Sequence, residues 1–296
     1  MKSVLPAISA AALLPLALGG CVVVDSHGHI ARDERRFTIT GTPELRLTTF
    51  DGSIEIRSAP DTKIVLVEIE KRGPTKEAID ELKIETKQDG DRIEVEVKRP
   101  AREVAIIGFG RLSPTAKLIV TIPRDGNITA RSGDGSIRIE RVRGRVDLRT
   151  GDGSVRASGV GGQLTIATGD GSVTVDDVEG DLDIDTRDGS VSVAGKLGSV
   201  KLHTGDGAIT FRAESGTTMK DDWSMTTGDG GVALFLPSDF GAQLDAHTGD
   251  GTIRNDLKIE NKSADQGRRS LRGTLGTGGK TLRIRTGDGG IRLKIS

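Results

Sequence analysis

One short motif recurs so regularly that it limits what this chain can fold into. Asp-Gly appears at Asp134, Asp152, Asp170, Asp188 and Asp206, each 18 residues after the last. An early copy sits at Asp51, and looser ones follow at Asp229, Asp250 and Asp288. Thr lies two residues before eight of these nine Asp, and Ser132 takes the ninth place. Gly precedes the Asp in seven copies, with Phe50 and Arg187 as the exceptions. The unit is Thr-Gly-Asp-Gly-Ser followed by an alternating segment. A fixed internal period of this kind marks a stacked-repeat architecture.

The apolar residues keep phase with the motif. After Asp152 they fall at Val155, Ala157, Val160, Leu164 and Ile166, and one period later at Val173, Val175, Val178, Leu182 and Ile184. Spacing of two within each group predicts a strand with one buried face. Each unit therefore holds two short strands. One turn carries Asp-Gly, and the other carries Arg143-Gly144, Gly161-Gly162, Glu179-Gly180 or Leu197-Gly198. Asp is expected to accept turn N–H groups there, and Gly to supply positive φ. Antiparallel hairpins in a sandwich or barrel would satisfy the alternation. Coils of a β-solenoid would also explain why identical side chains recur at one phase, since like residues then stack about 4.8 Å apart. A single coil buries too little to order itself, so stability must come from stacking. The fold class read from the sequence is all-β, a β-solenoid with about 18-residue coils.

Composition agrees with thin, repetitive β structure. Hydrophobic residues are 34 %, aromatics 2 % and glycines 41 in number. A formal charge of −1 gives no basic footprint for nucleic acid.

The ends are less regular. Alternation begins at Phe37/Ile39 and continues through Leu45/Leu47, Ile54/Ile56, Val65/Val67/Ile69, Ile93/Val95/Val97 and Leu118/Val120/Ile122. Thr75 to Leu82 reads as a short helix with Thr75 as N-cap, covering the N-terminal end of the stack. Pro100 to Pro114 reads as a loop, and the polar, Gly-rich stretch Asn255 to Gly279 as a bulge between late coils. The chain closes on Ile291 to Ile295, whose outward Arg292 and Lys294 are expected to guard an exposed edge.

Residues 1–20 read as a signal peptide. Lys2 supplies the positive start, Val4 to Leu18 the apolar run, and Leu18-Gly19-Gly20-Cys21 resembles a bacterial lipobox. Cys21 is the only cysteine and is the expected lipidation site. By the same resemblance, Val22 after the cysteine favours the outer membrane. The organisation expected is a signal peptide (1–20), a tether (21–36) and a β-solenoid (37–296). Within the solenoid, coils are irregular over 37–130, regular over 131–213 and looser over 214–296.

The Thr-Gly-Asp-Gly-Ser repeats, after the leading Phe37-x-Ile39 segment and a lipobox, resemble the "putative adhesin" family of β-strand-repeat lipoproteins, a domain of unknown function. The resemblance covers nearly all of residues 37–296. It implies a single-stranded right-handed β-helix and brings no catalytic residues.

Other chemistry fails on spacing. Calcium β-rolls also use 18 residues per coil, but need the nonapeptide G-G-x-G-x-D-x-U-x twice in each. Here Gly-Asp-Gly occurs once. Asp181, Asp183 and Asp185 resemble the start of an EF-hand, yet Thr186 stands where that loop needs Gly. Lys201 and His203 occupy the matching columns one coil later, so cross-strand pairing accounts for the acids. His27 and His29 are too few for a metal site. His203 and His247 face outward, three residues before a repeat Asp. The Gly-Gly-Lys-Thr within Gly273 to Thr281 has its first Gly one residue too early for a P-loop. Short coils leave no long loops to wall a lyase or hydrolase cleft. No catalytic residue, metal ligand, cofactor or small-molecule substrate is expected.

The reading is a non-enzymatic envelope lipoprotein, held on the membrane by a lipid anchor, whose solenoid is an adhesion surface, docking surface or rigid spacer. Its partner would be an envelope protein or surface ligand. The outward columns Arg145/Gln163/Asp181/Ser199 and Asp147/Thr165/Asp183/Lys201 are the expected binding face. An alternative is a periplasm-facing protein that senses or assembles with envelope partners, and a weaker one is a calcium-stiffened module.

Overall fold

The computed structural model describes residues 22–25, 28–60, 62–98, 114–261 and 268–296. Cys21 and the signal peptide, His27, and the loop expected from Pro100 (apart from Pro114 itself) lie outside the described residues.

The fold is an all-β solenoid of stacked coils, with one short helix, Lys76–Asp80. Two sheet faces enclose the core. The strands that follow each Asp-Gly turn form a post-turn face, and those leading into it form a pre-turn face. Partners one repeat apart pair in parallel. On the post-turn face Ile137 pairs with Val155, Val155 with Val173, Val173 with Val191 and Val191 with Ile209. On the pre-turn face Val146 pairs with Leu164, Leu164 with Leu182 and Leu182 with Val200. Parallel pairing in register excludes the hairpin sandwich. Strands Val173–Thr186 and Val191–Thr204 run unbroken across both faces. The second turn is thus a bend within the strand, and here glycine does adopt positive φ, as at Gly162 (105°) and Gly180 (123°).

Alternation in the sequence becomes burial in the structure. Ile137, Val155, Val173, Val191 and Ile209 are each at most 1 % exposed. The core is thin and continuous, which explains how a chain with 34 % hydrophobic residues fills it. One aromatic cluster marks the point where the repeat lengthens. Trp223 lies 5.2 Å from Phe211 and 5.4 Å from Phe240, and its indole N–H donates to the Gly198 carbonyl at 3.0 Å.

Coil order in space departs from chain order at both ends. Strands Glu44–Thr49 and Ile54–Ser58 do not start the stack. Glu44–Thr49 sits between Arg92–Lys98 and Asn127–Ser132, and Ile54–Ser58 between Thr115–Ile122 and Ile137–Glu140. The last coil does the same. Thr281–Thr286 sits between Trp223–Thr227 and Ala242–Thr248, and Ile291–Ile295 between Val232–Leu236 and Ile253–Asn255. The edge-guarding role expected of Arg292 and Lys294 is therefore overturned, because their strand is paired on both sides.

Antiparallel strands close the ends. Lys83–Asp89 covers Arg92–Lys98, Gly28–Thr38 covers Ile64–Gly73, and Ser270–Leu275 covers Ala242–Thr248. Two expectations change as a result. Residues 28–36, read as tether, already belong to a paired strand. Part of the expected 255–279 bulge is the strand Ser270–Leu275, laid onto Ala242–Thr248, and the strand Ile259–Glu260, paired with Ser270–Leu275; Ile259, Leu271 and Leu275 are buried. The helix behaves as expected. The Thr75 hydroxyl accepts from the Ala78 N–H at 3.2 Å, and Ala78, Ile79 and Leu82 are buried.

The turn chemistry also differs from expectation. None of the glycines flanking the nine Asp has positive φ. They are required because successive turns touch. A Cβ on Gly153 would lie 2.2 Å from the Gly135 carbonyl oxygen, and on Gly171 2.1 Å from that of Gly153. The acceptor for the turn N–H is Thr. The Gly189 N–H donates to the Thr186 hydroxyl at 3.3 Å and Gly207 to Thr204 at 3.2 Å. Each hydroxyl then donates to the preceding coil: Thr150 to Gly135 at 2.8 Å, Thr168 to Gly153 at 3.0 Å, Thr204 to Gly189 at 2.9 Å.

Two predictions follow from the stacking. Gly153→Ala should cost about 1–3 kcal/mol through overpacking against backbone. Gly161→Ala, whose Cβ would meet only the Arg143 side chain at 3.5 Å, should stay within roughly 0.5 kcal/mol of the parent. Urea titration of both variants checks the contrast. Truncation after Lys280 should remove the shared partner of residues 223–236 and 242–255. Limited proteolysis should then cut within 242–260 while 137–204 stays protected.

Candidate functional site

The nine Asp residues form one column in spite of their uneven spacing. Thr49 pairs with Ser132, Thr168 with Thr186, Thr186 with Thr204, Thr204 with Thr227, Thr227 with Thr286, and Thr286 with Thr248. Two residues further on, the carboxylates run in the order Asp51, Asp134, Asp152, Asp170, Asp188, Asp206, Asp229, Asp288, Asp250. Chain order is broken only by the inserted last coil. All but Asp51, which is half-buried, are exposed. Arginine crosses the column twice, as Arg187 approaches Asp170 at 3.5 Å and Arg269 approaches Asp250 at 2.8 Å. Among the described residues, no group of three or more His, Cys, Asp or Glu is arranged to hold a metal ion.

The expected binding columns exist as read. Arg145, Gln163, Asp181 and Ser199 are successive partners, as are Asp147, Thr165, Asp183 and Lys201. Cross-strand pairing accounts for one of the three acids of the EF-hand-like run, and a loop residue pairs with a second. Lys201 approaches Asp183 at 4.0 Å, and Lys220, from the loop that lengthens the next coil, reaches Asp181 at 3.2 Å. His203 and His247 are exposed on this pre-turn face, in one column with Thr226 and Arg285. His29 stands apart, on the antiparallel strand that closes the post-turn face.

Further along the pre-turn face lies a cluster the sequence did not reveal. Asp245 accepts from Arg272 at 3.0 Å and from Arg285, with Arg283 at 4.0 Å. These residues come from three strands, brought together by the inserted last coil and the closing antiparallel strand. Burial alone would raise the Asp245 carboxyl, but the hydrogen bonds and charges of Arg285 and Arg272 outweigh it and hold it below its ordinary value of 3.8. A carboxylate depressed in the folded state contributes stability above its unfolded value, which is lost as pH falls through the folded one. Asp245→Asn should therefore lower the melting temperature by about 2–4 °C at neutral pH. The gap to the parent should close as pH drops below 3.8, followed by thermal melts across pH.

Shallow depressions interrupt both faces. One of about 540 Å³ on the pre-turn face is lined by Arg149, Asp185, Arg187 and His203. One of about 430 Å³ on the post-turn face is lined by Thr210, Ala233, Arg254 and Arg292. A third, of about 360 Å³, lies at the C-terminal end of the stack among Leu236, Phe240, Leu257, Leu275 and Ile295.

Solved bacterial structures are similar to this chain at low identity. A protein of Parabacteroides distasonis described as a "putative lipid binding protein" is 12 % identical, with a TM-score of 0.47 over 88 % of this chain and 96 % of its own. A "putative adhesin" of Bacteroides fragilis is 10 % identical, with a TM-score of 0.40 over 88 % and 96 %. Another, of Parabacteroides merdae, is 12 % identical, with a TM-score of 0.40 over 88 % and 95 %. No curated protein matches the sequence. The Toastrack DUF4097 family model matches residues 42–294, from the first coil to the last, and the chain belongs to that family.

Proposed function

We propose that this chain is a non-enzymatic, lipid-anchored envelope protein whose solenoid presents its strand faces as an adhesion or docking surface. The observation that carries this reading is the pair of long outward faces. Side chains there repeat in straight columns across coil after coil, and the concavities between them are shallow. Such a surface suits a partner that contacts many coils at once. Among the described residues, the depressions on these faces are open to solvent and poorly suited to excluding water from a reacting bond.

In this reading the coils are right-handed and 18 residues long in the regular region. Cys21 carries the lipid, and the protein sits on the outer membrane. Residues 22–25 pair with the strand Gly28–Thr38, so the solenoid would stand close to the membrane rather than on a long stalk. No helix among the described residues is long and apolar enough to cross a membrane.

Protease accessibility of the native protein in intact against permeabilised cells tests this proposal. Cleavage in intact cells is the expected result. Protection until permeabilisation would move the docking surface to the periplasmic side and remove the adhesin reading. The Cys21→Ala variant should leave the membrane fraction, and if it stays, the lipid anchor is wrong.

A further inference from the structure

We propose that the post-turn face at the C-terminal end binds an acidic polysaccharide through Arg254 and Arg292, with Arg212 and Lys294 flanking them. The inference rests on the docking-surface reading and names its ligand class.

The four late strands of this face present Thr210, Arg212, Ala233, Phe235, Arg292, Lys294 and Arg254 outward. These are four cations and no carboxylate. Arg292 and Arg254 are direct cross-strand partners, which puts like charges about 4.8 Å apart at the backbone. Arg212, Phe235 and Lys294 are successive partners in the adjoining column. Like charges placed opposite each other are destabilising. At the other end of the same face most cations are matched, Lys117 with Glu55 at 2.7 Å, Arg57 with Glu68 at 3.3 Å and Arg138 with Glu140 at 3.8 Å, and among the described residues a single one, Arg156 opposite Arg138, is not. Among the described residues, none of Arg212, Arg254, Arg292 and Lys294 has such a partner. Asp256, just past the end of the Arg254 strand, is ion-paired with none of them. The missing counter-charge is therefore assigned to a ligand.

The shape fits a chain-like anion. Thr210 and Ala233 are short, so the surface sinks between the arginines into the depression of about 430 Å³. The guanidinium of Arg212 is held 4.4 Å above the Phe235 ring, which limits the freedom it would lose on binding. The cations lie on three of the four strands, with the cation-free Val232–Leu236 between Arg212 and the Arg292/Arg254 pair, a spread that matches a ligand whose carboxylates repeat along its length. The large apolar side chains under the depression, Ile209, Val232 and Ile291, are buried in the core and cannot enter a bilayer, and the Phe235 ring is covered by Arg212. A planar anionic membrane is thus the poorer partner.

Calorimetric titration of the purified full chain in detergent with a defined oligogalacturonate tests the proposal. Saturable binding is expected, weakening as salt is added. Each arginine removed should cost roughly tenfold in affinity, so Arg292→Ala should weaken binding and Arg254→Ala/Arg292→Ala should weaken it further. Arg283→Ala, on the opposite face beside Asp245, should bind as the parent does. All the substituted side chains are exposed, and an unchanged melting temperature verifies folding. Arg292→Gln serves if an alanine variant misfolds.

Absence of saturable binding overturns the proposal, as does undiminished affinity in the double variant. Preference for inorganic phosphate or for anionic phosphatidylglycerol vesicles over the oligouronate overturns it too. Failure here with the protein still cleavable on intact cells leaves the docking reading standing without this ligand. Binding here by a protein protected in intact cells keeps the ligand and removes the surface location.

Discussion

The structure depends on how closely successive turns can approach. Parallel strands stack about 4.8 Å apart, and a turn joining them must stack at the same distance. In this chain the turn backbones meet almost directly, so that a Cβ on Gly207 would sit 2.1 Å from the Gly189 carbonyl oxygen. Glycine is kept there by the lack of room and not by an unusual φ. Threonine completes the joint. Its hydroxyl accepts an N–H from its own turn and donates to a carbonyl of the coil before, satisfying buried polar groups that the close approach cuts off from water. The Thr side chains are themselves buried, at 0 % for Thr204 and Thr248 and 2 % for Thr186. Asp is the outward member of the motif, exposed in every copy but Asp51.

This division explains what was legible in the sequence. Period, strand positions and core were all readable because each follows from a spacing: two along a strand, one repeat between coils. Val155, Val173 and Val191 announce both their strand and their partner. The roles within the turn were not readable from spacing, because Thr, Gly and Asp share one period. Conspicuous charge drew attention to Asp, while the work falls to the residue two places earlier. A buried, doubly bonded hydroxyl and an exposed carboxylate look alike as letters.

Coil order was the second hidden feature. Nothing in the pattern around Asp288 distinguishes a last coil that caps the stack from one that enters it. The choice is made by pairing: Thr286 finds Thr227 on one side and Thr248 on the other. The polar stretch after Asn255 is the consequence, since the chain must leave the stack, close its end with Ser270–Leu275 and return. Its sparse apolar residues, Ile259, Leu271 and Leu275, are the minimum that such a closing layer needs. The Asp245 cluster was unreadable for the same reason. Its three arginines and one carboxylate share a face only once the last coil is inserted.

A fold stabilised by inward columns and turn joints leaves its outward positions nearly unconstrained. That freedom is visible in the change of character along the post-turn face. Most cations of its early strands, such as Lys117, Arg57 and Arg138, have carboxylate partners, and the four of its late strands have none. Folding cannot account for the difference, because the backbone ladder and the buried columns are the same at both ends. We assign the clustering of unpaired cations at the late end to the ligand proposed for it. The insertion of the last coil sharpens the point. It carries Arg292 and Lys294 into the middle of the late strands and sets Arg292 directly against Arg254, where an edge position would have left both well solvated and apart. The device that completes the stack also concentrates its unmatched charge.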